Sequence, residues 1–368
     1  MLIVHCADFH IGYRSYTKRD DDTGMNLRMK DMYDAFDHVC DFVTTRNDVG
    51  IMIVAGDFFN SIRPSNFAYN HIIGKLNEVT HRGIAVCIVG GNHDTPKNMY
   101  SVSPLDVIEH VDGVHVCTGD YHYEDIEGVR VHMVPYCLDK ETLVENLNRA
   151  GANLYTGRNI LALHGSVMDF KVLEHDEVLL DRNEVLDLSQ TFDYVALGHY
   201  HDSVEVADHV WYAGSLERMS WNEKNDSKGF VVYDTVTKEV EQIEYDARQM
   251  YELEPYDVND LPLTSSLTRA VLEHIEQEGI SDKICRMKIL NVPVTLNKSL
   301  DLKRLREATK DAAHFNFIFE MKEDEFDLTV ERTSFKTLKE EWAEFAQKCQ
   351  LSDEIRELGR TYIEEADQ

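Results

Sequence analysis

The chain lacks any run approaching the ~18 uninterrupted apolar residues of a membrane span. Its opening LIVHCADFH segment is too short and too polar for a signal peptide. The seven cysteines are odd in number, scattered and never spaced C-x-x-C, which argues against a disulfide scaffold and fits a reducing cytoplasm. Cys6, Cys87 and Cys117 lie inside strand-like runs, where a thiol acts as a small apolar side chain. Basic charge is scarce: 37 Lys and Arg against 67 Asp and Glu leave a net charge of −30. Such a surface repels nucleic acid at long range. A DNA-acting reading therefore needs compensation, from bound cations that reverse the local field, from a partner subunit, or from a rim of Arg14, Lys18, Arg19, Arg63, Arg218, Lys224 and Lys228. Internal repeats and low-complexity segments are absent as well.

What is present suits one large α/β domain and something smaller, since 368 residues with 43% hydrophobic content exceed a typical single domain. Strand-like runs recur at 2–6, 51–55, 85–89, 114–117, 129–134, 159–163, 194–197, 210–213 and 229–233. Helix-like stretches, notably 28–46 and 66–82, separate the first three, and this alternation predicts parallel pairing with right-handed crossovers. Short loops between the later runs predict a more antiparallel second half. Two mixed sheets packed face to face and flanked by helices satisfy both patterns. From 245 to 260 the texture turns acidic and aperiodic and reads as a linker; beyond it, alternating helix and strand patterns over 265–331 predict a small α+β module.

Five of the apolar runs end in metal-type ligands. Asp8 and His10 follow LIVHCA, Asp57 follows IMIVAG, and Asn92, His93 and Asp94 follow AVCIVGG; His164 follows NILAL, and His199 and His201 follow YVALG. Each motif alone has an ordinary reading, as a turn, a cap or a core histidine. Together they place five strand-end loops around one point, because side chains at the carboxyl ends of strands in an α/β sheet converge on one edge. Carboxylate, imidazole and amide oxygen donors without cysteine favour manganese, magnesium or iron over structural zinc. Seven of these nine residues as ligands suit two divalent ions sharing a carboxylate, a centre built for in-line attack on phosphate esters.

Through DFHIGYR, VAGDFFN, GGNHD, LALHGSV, LGHYH and YAGSLERMSW, residues 1–233 resemble the calcineurin-like metallophosphoesterase superfamily, and within it the SbcD-type nuclease subunit of double-strand-break repair. The C-terminal third resembles it in general layout. The resemblance implies that Asp8, His10, Asp57 and His201 hold one ion, and that Asp57 bridges to a second held by Asn92, His164 and His199. His93, steadied by Asp94, is implied to be the general acid or transition-state stabiliser. Arg14, Asn60, Arg63 and Arg218 are implied DNA contacts, and Trp221 is a further candidate. Many family members carry histidine or aspartate where this chain has Asn60, which bears on endonuclease activity rather than on the metal centre.

Phe335, Leu338, Trp342, Phe345 and Cys349, then Leu351, Ile355, Leu358 and Tyr362, form two apolar stripes at helical spacing. They either dock on their own domain or form a helix–loop–helix that grips a coiled coil. The resemblance implies the second, with an SbcC-type SMC-like ATPase as partner, a homodimer within a heterotetramer, and Leu338, Trp342, Phe345, Ile355 and Leu358 at the contact. The expected division is a nuclease domain over 1–245, a DNA-capping domain over 246–333 and ATPase-binding helices over 334–368. The leading expectation is a manganese-dependent nuclease acting on double-stranded DNA ends in the cytoplasm. A small-substrate phosphatase or phosphodiesterase with the same centre, and a non-catalytic ATPase-binding scaffold, are the alternatives.

Overall fold

Strands buried on both faces read as near-continuous apolar runs, and that is how the runs of this chain fold. A computed structural model describes residues 1–97, 100–168, 178–261, 266–293, 300–322, 342–343, 345–346 and 352–366. In the first sheet β1 (Leu2–Cys6), β2 (Val49–Val54), β3 (Ala85–Val89) and β4 (Val114–Cys117) pair in parallel. β13 (Gly229–Asp234) and β14 (Val240–Glu244) add antiparallel beyond β1. The second sheet has the order β11 (Val204–Ala207), β12 (Val210–Tyr212), β10 (Tyr194–Gly198), β7 (Arg158–His164), β6 (Val129–Val134), β5 (His122–Ile126). Ser166–Val167 (β8) and Leu179–Leu180 (β9) pair separately beside it.

The sandwich follows from period-two alternation. Ile51 and Ile53 of β2 face the second sheet, packing with Val131, Met133, Ile160 and Ala162. Met52 and Val54, one residue out of phase, face α1 (Leu27–Thr45) and α2 (Asn66–Thr80), where Phe36, Val39, Ile72 and Leu76 bury them. The Asn26 side chain caps α1 by accepting the Met29 amide, so the helix starts where its apolar stripe does. On the far side Leu161, Leu163, Val195 and Leu197 pack under helices Lys140–Ala152 and Arg182–Thr191.

Two expectations are corrected. The more antiparallel second half holds for the hairpins β5–β6 and β13–β14, for β11 on β12 and for β13 on β1, but not for the middle of the second sheet, where β6, β7, β10 and β12 run parallel. The helices Lys140–Ala152 and Arg182–Thr191 supply the crossovers, and they bury so few side chains (Leu143, Asn146 and Ala150 in one, Val185 and Leu188 in the other) that no broad apolar stripe marks them. The stretch read as a linker carries strands instead. β15 (Met250–Glu252) and β16 (Tyr256–Asp257) pair in succession along one edge of β17 (Ile284–Val292) in a third sheet, and β18 (His314–Met321) pairs along its other edge. Strands of two and three residues are too short to show a period.

The third sheet has its own core, with Val271 and Ile275 of helix Leu267–Ile275 and Leu305 of helix Leu302–Ala308 against Cys285, Met287 and Ile289. It seats on the first unit through Met250, Ile284 and Ala313, which meet Tyr16, Leu27 and Trp221. Tyr16 stacks on His314 with ring centroids 3.8 Å apart, and Lys18 donates to the carbonyls of Lys310, Asp311 and Ala312. Six cysteines are free and buried among the described residues; Cys349 lies outside them. None of the described helices is long and apolar enough to cross a membrane.

Candidate metal centre

Because β1, β2, β3, β7 and β10 run parallel within their sheets, their carboxyl ends open on one rim, and the five motifs meet there. Asp8, His10 and His201 form one group of potential ligands, His10, Asp57 and His93 a second, and Asp57, His164 and His199 a third, each with ligand atoms within 4.8 Å of one another. Asp57 is central: its Oδ2 lies 3.8 Å from His10 Nε2 and 3.6 Å from His164 Nε2. Asn92 completes one side, with Oδ1 3.0 Å from His164 Nε2 and 3.1 Å from His199 Nδ1. The His199 amide donates to both oxygens of Asp8, at 3.0 and 3.2 Å, tying β10 of one sheet to β1 of the other.

The backbone is bent to bring these groups together. Asp8, His10, Asp57 and His199 have φ of 53°, 45°, 49° and 105°, each a left-handed conformation costing on the order of 1–3 kcal/mol for a non-glycine residue. The glycines of the G-D and G-N motifs are required by close approach. A Cβ on Gly56 would lie 2.1 Å from His164 Nδ1, and one on Gly91 would lie 2.1 Å from Asp57 Oδ1.

The donor set fits divalent cations. His164 Nδ1–H donates to the Ala55 carbonyl at 2.8 Å, so its Nε2 carries a bare lone pair toward the Asn92 oxygen. Two acceptors at hydrogen-bond distance with no proton between them repel, and a cation reconciles them. Burial drives Asp8 up to about 8, with Asp57 adding to the rise and His201 opposing it. Burial pulls His10 down to about 3 and His164 to about 4, leaving both as the neutral imidazoles a metal needs. Burial pushes Asp57 upward too, yet His164, His10 and His93 around it hold it below the usual carboxylate range.

His93 and Asp94 divide differently from expectation. The Asp94 carboxylate accepts the amides of Phe58 and Phe59 at 2.9 Å and of Gly91 at 3.2 Å. It does not hold the His93 ring, whose Nδ1–H donates to the Asn60 carbonyl at 3.0 Å. Asp94 is a loop clamp, buried and pushed up to about 7 by burial and then by Asp57.

The basic rim is largely turned inward. Arg218 donates to the carbonyls of Ala247, Arg248 and Asp226, which removes it as a DNA contact. Lys18 is bound as described, Lys224 pairs with Glu252, Lys228 is buried, and Arg19 donates to the Gly24 carbonyl. Trp221 lies under the Arg286 guanidinium, 4.2 Å from its ring centroid. Arg14 and Arg63 remain exposed, and Asn60 is half-buried.

Sequence reasoning missed Glu223, whose Oε1 lies 3.3 Å from His201 Nδ1. Its signal was the capping pattern Ser220-x-x-Glu223, which closes the turn Trp221–Glu223. At the C-terminus Trp342 Nε1 donates to the Arg356 carbonyl at 3.1 Å. Its ring fills the space where a Cβ on Gly359 would sit, so the two stripes partly cover each other. Phe345, Ile355, Leu358 and Tyr362 stay 49–63% exposed; Leu338 lies outside the described residues.

A family model described as calcineurin-like phosphoesterase matches residues 1–203. A DNA double-strand break repair protein Mre11 of Thermoplasma acidophilum is 31% identical over 65% of this chain, which spans 63% of that protein's length. The Mre11 protein of Sulfolobus acidocaldarius is 23% identical, with 100% of this chain and 96% of that one covered. Among solved structures, a dimetal phosphatase from Danio rerio aligns with a TM-score of 0.35 and 12% identity, covering 63% of this chain and 91% of that one.

Proposed function

The chain belongs to the calcineurin-like phosphoesterase family, and from that premise we propose that it is an SbcD-type metal-dependent DNA nuclease, cleaving phosphodiester bonds at double-stranded ends. The observation that carries this is Asp57, standing between His10 on one side and His164 on the other. Asp8, His10, Asp57 and His201 would hold one divalent ion; Asp57, Asn92, His164 and His199 would hold the second. The oxygen and imidazole donors favour manganese, with magnesium or iron the alternatives. When bound, such an ion pair supplies Lewis-acid polarisation of a phosphate group and a nucleophilic water at neutral pH.

The chain's own residues do the rest. His93, oriented by the Asn60 carbonyl on Nδ1, sets its ring edge-on to His10 with centroids 4.7 Å apart and beside Asp57; from its other ring nitrogen it hands a proton to the leaving oxygen. The Asn60 side chain is not needed for that orientation, so the departure from the family pattern leaves the proton donor in place. Exposed Arg14 and Arg63 are the proposed DNA contacts. The names of the archaeal relatives support DNA as substrate.

Partners follow from uncovered apolar surface. Ile355, Leu358 and Tyr362 offer a helix face for the coiled coil of an SbcC-type ATPase, and the third sheet is the proposed DNA-capping module. Phe67 on α2 and Tyr100, Val102 and Val107 in the segment after β3, 47–93% exposed, are the proposed homodimer face.

Manganese, end-labelled duplex DNA and the purified chain test the reading beside a His93→Ala variant. Duplex degradation that the variant loses is expected. Cleavage of p-nitrophenyl phosphate esters without DNA cleavage identifies a small-substrate esterase instead. Inertness toward both, with the ATPase partner and ATP present, leaves a scaffold.

A further inference from the structure

We propose that Glu223, clamped by Lys228, is the positioning residue of the His201 side of the metal centre; this rests on the reading that Asp8, His10 and His201 hold a divalent ion. A ligand imidazole needs its second ring nitrogen held, because that hydrogen bond sets both tautomer and ring plane. The centre does this in two ways. His164 uses a backbone carbonyl, that of Ala55 at 2.8 Å, fixed by sheet pairing. His201 has no such carbonyl; its Nδ1 faces the Glu223 carboxylate at 3.3 Å, which leaves Nε2 pointing to His10 Nε2, 3.3 Å away.

A carboxylate on a rotatable side chain is a poor orienter unless it is itself held. Glu223 Oε1 accepts the Ser220 amide at 3.1 Å, and Oε2 accepts the Met219 amide at 3.2 Å. The decisive contact is Lys228, whose ammonium donates to Glu223 Oε2 at 2.8 Å and is fully buried. Its other protons go to the His201 carbonyl at 2.8 Å and the Ser215 hydroxyl at 3.1 Å. Lys228 thus grips the ligand residue at its backbone while gripping the carboxylate that aims its ring. Burying an ammonium is costly without such partners, and a purely structural demand at this spot could be met by an apolar side chain. A charged holder also makes the imidazole a stronger donor than a neutral carbonyl does, so the two sides of the centre are unequal.

The test is manganese binding by the full chain, stripped of metal and titrated with manganese chloride in a calorimeter. Wild type is expected to bind two ions. Glu223→Gln keeps the shape but not the charge, and should weaken one site roughly 10–100-fold while leaving the other within about twofold. The metal-free melting temperature reads structural damage. If the single variant loses more than ~5 °C through its stranded lysine, Glu223→Gln with Lys228→Met, which leaves only the solvent-reached Asp226 carboxylate without its lysine, is judged by the same criterion. Loss at one site supports the proposal. Equal weakening of both sites, no change at either, or a double variant that fails to fold overturns it. Wild type that binds no manganese refutes the metal-centre reading itself, a separate outcome.

Discussion

The ring of His93 donates from Nδ1 to the backbone carbonyl of Asn60, 3.0 Å away. The atom that orients the proposed proton donor is therefore common to every residue type at position 60. Asn60→Ala should change manganese-dependent duplex cleavage by less than about threefold. His93→Ala should lower it by roughly 10²–10⁴, the usual worth of a general acid, with manganese affinity retained. Rates on end-labelled duplex and titration of both variants check this. A collapse in Asn60→Ala would show that the side chain, not the carbonyl, is at work.

Asp94 accepts three buried amides, from Phe58, Phe59 and Gly91. An asparagine offers one acceptor oxygen and turns an NH2 toward the remaining donors. Asp94→Asn should cost about 2–4 kcal/mol of stability, the range expected for stranding one or two buried amides. Denaturant unfolding of the metal-free chain measures it. A loss of activity with stability intact would return Asp94 to a direct role in chemistry.

That distinction marks how far the sequence was legible. The five motifs could be read because each ligand sits at the end of a strand buried on both faces, so an apolar run announces its position. The glycines of G-D and G-N carried information too, since Gly56 and Gly91 stand where a Cβ would collide with His164 and Asp57. Direction was not legible. Arg218 and Lys228 are cations in the sequence, but only the packing of the 217–228 segment shows that both point inward. Glu223 lies 22 residues from His201, and no periodicity links them. β15 and β16 are held by pairing with β17 rather than by their own pattern.

Acidity of the centre gives a pH signature. Asp8 is raised to about 8 by burial, whereas an unfolded aspartate titrates near 3.9. The folded metal-free chain holds a proton that the unfolded chain has released, so stability falls as pH rises from about 4 to 8. His10 and His164, lowered to about 3 and 4 by burial, act in the opposite sense. They favour unfolding as pH falls below about 6.5 and contribute nothing above it. Between pH 6.5 and 8 the groups raised by folding are left: Asp8, worth about 1–2 kcal/mol, with Asp94, at about 7, and the raised His201 acting in the same sense. In chelator the melting temperature should drop across that window. Manganese displaces the Asp8 proton, so the metal-induced rise in melting temperature should be larger at pH 8.5 than at pH 6.5. A gain independent of pH would place Asp8 outside the metal shell.

Arg286 of β17 lies over Trp221, 4.2 Å from the ring centroid, and pairs with Glu252 at 2.9 Å. Lys224 reaches the same Glu252 at 2.7 Å. This joint links the third sheet to the turn that carries Glu223. Arg286→Ala removes both contacts of the guanidinium and should speed amide hydrogen exchange in Met250–Glu252 and in the Trp221–Glu223 turn, while exchange in β1 and β2 stays unchanged. Exchange measured by mass spectrometry decides. Uniform acceleration across the chain would mean global destabilisation rather than a loosened joint.

Ile355, Leu358 and Tyr362 recur at three- and four-residue spacing along helix Asp353–Ala366 and remain 49–63% exposed. Trp342 covers only the Gly359 position of that face, four residues after Ile355 and three before Tyr362, and leaves the three apolar side chains themselves exposed. A helix that keeps one apolar stripe uncovered after its neighbour has packed has a partner-sized surface left. Ile355→Glu with Leu358→Glu should reduce capture of the SbcC-type ATPase by more than tenfold, since a charge at the centre of an apolar contact is expelled from it. Manganese-dependent cleavage by the chain alone should be unchanged, because no residue of the centre or of its Glu223–Lys228 support lies beyond Lys228. Ending the chain at residue 333 should have the same effect on capture. If the ATPase binds the double variant as tightly as wild type, the stripe docks elsewhere on this chain and the grip lies outside the terminal helices.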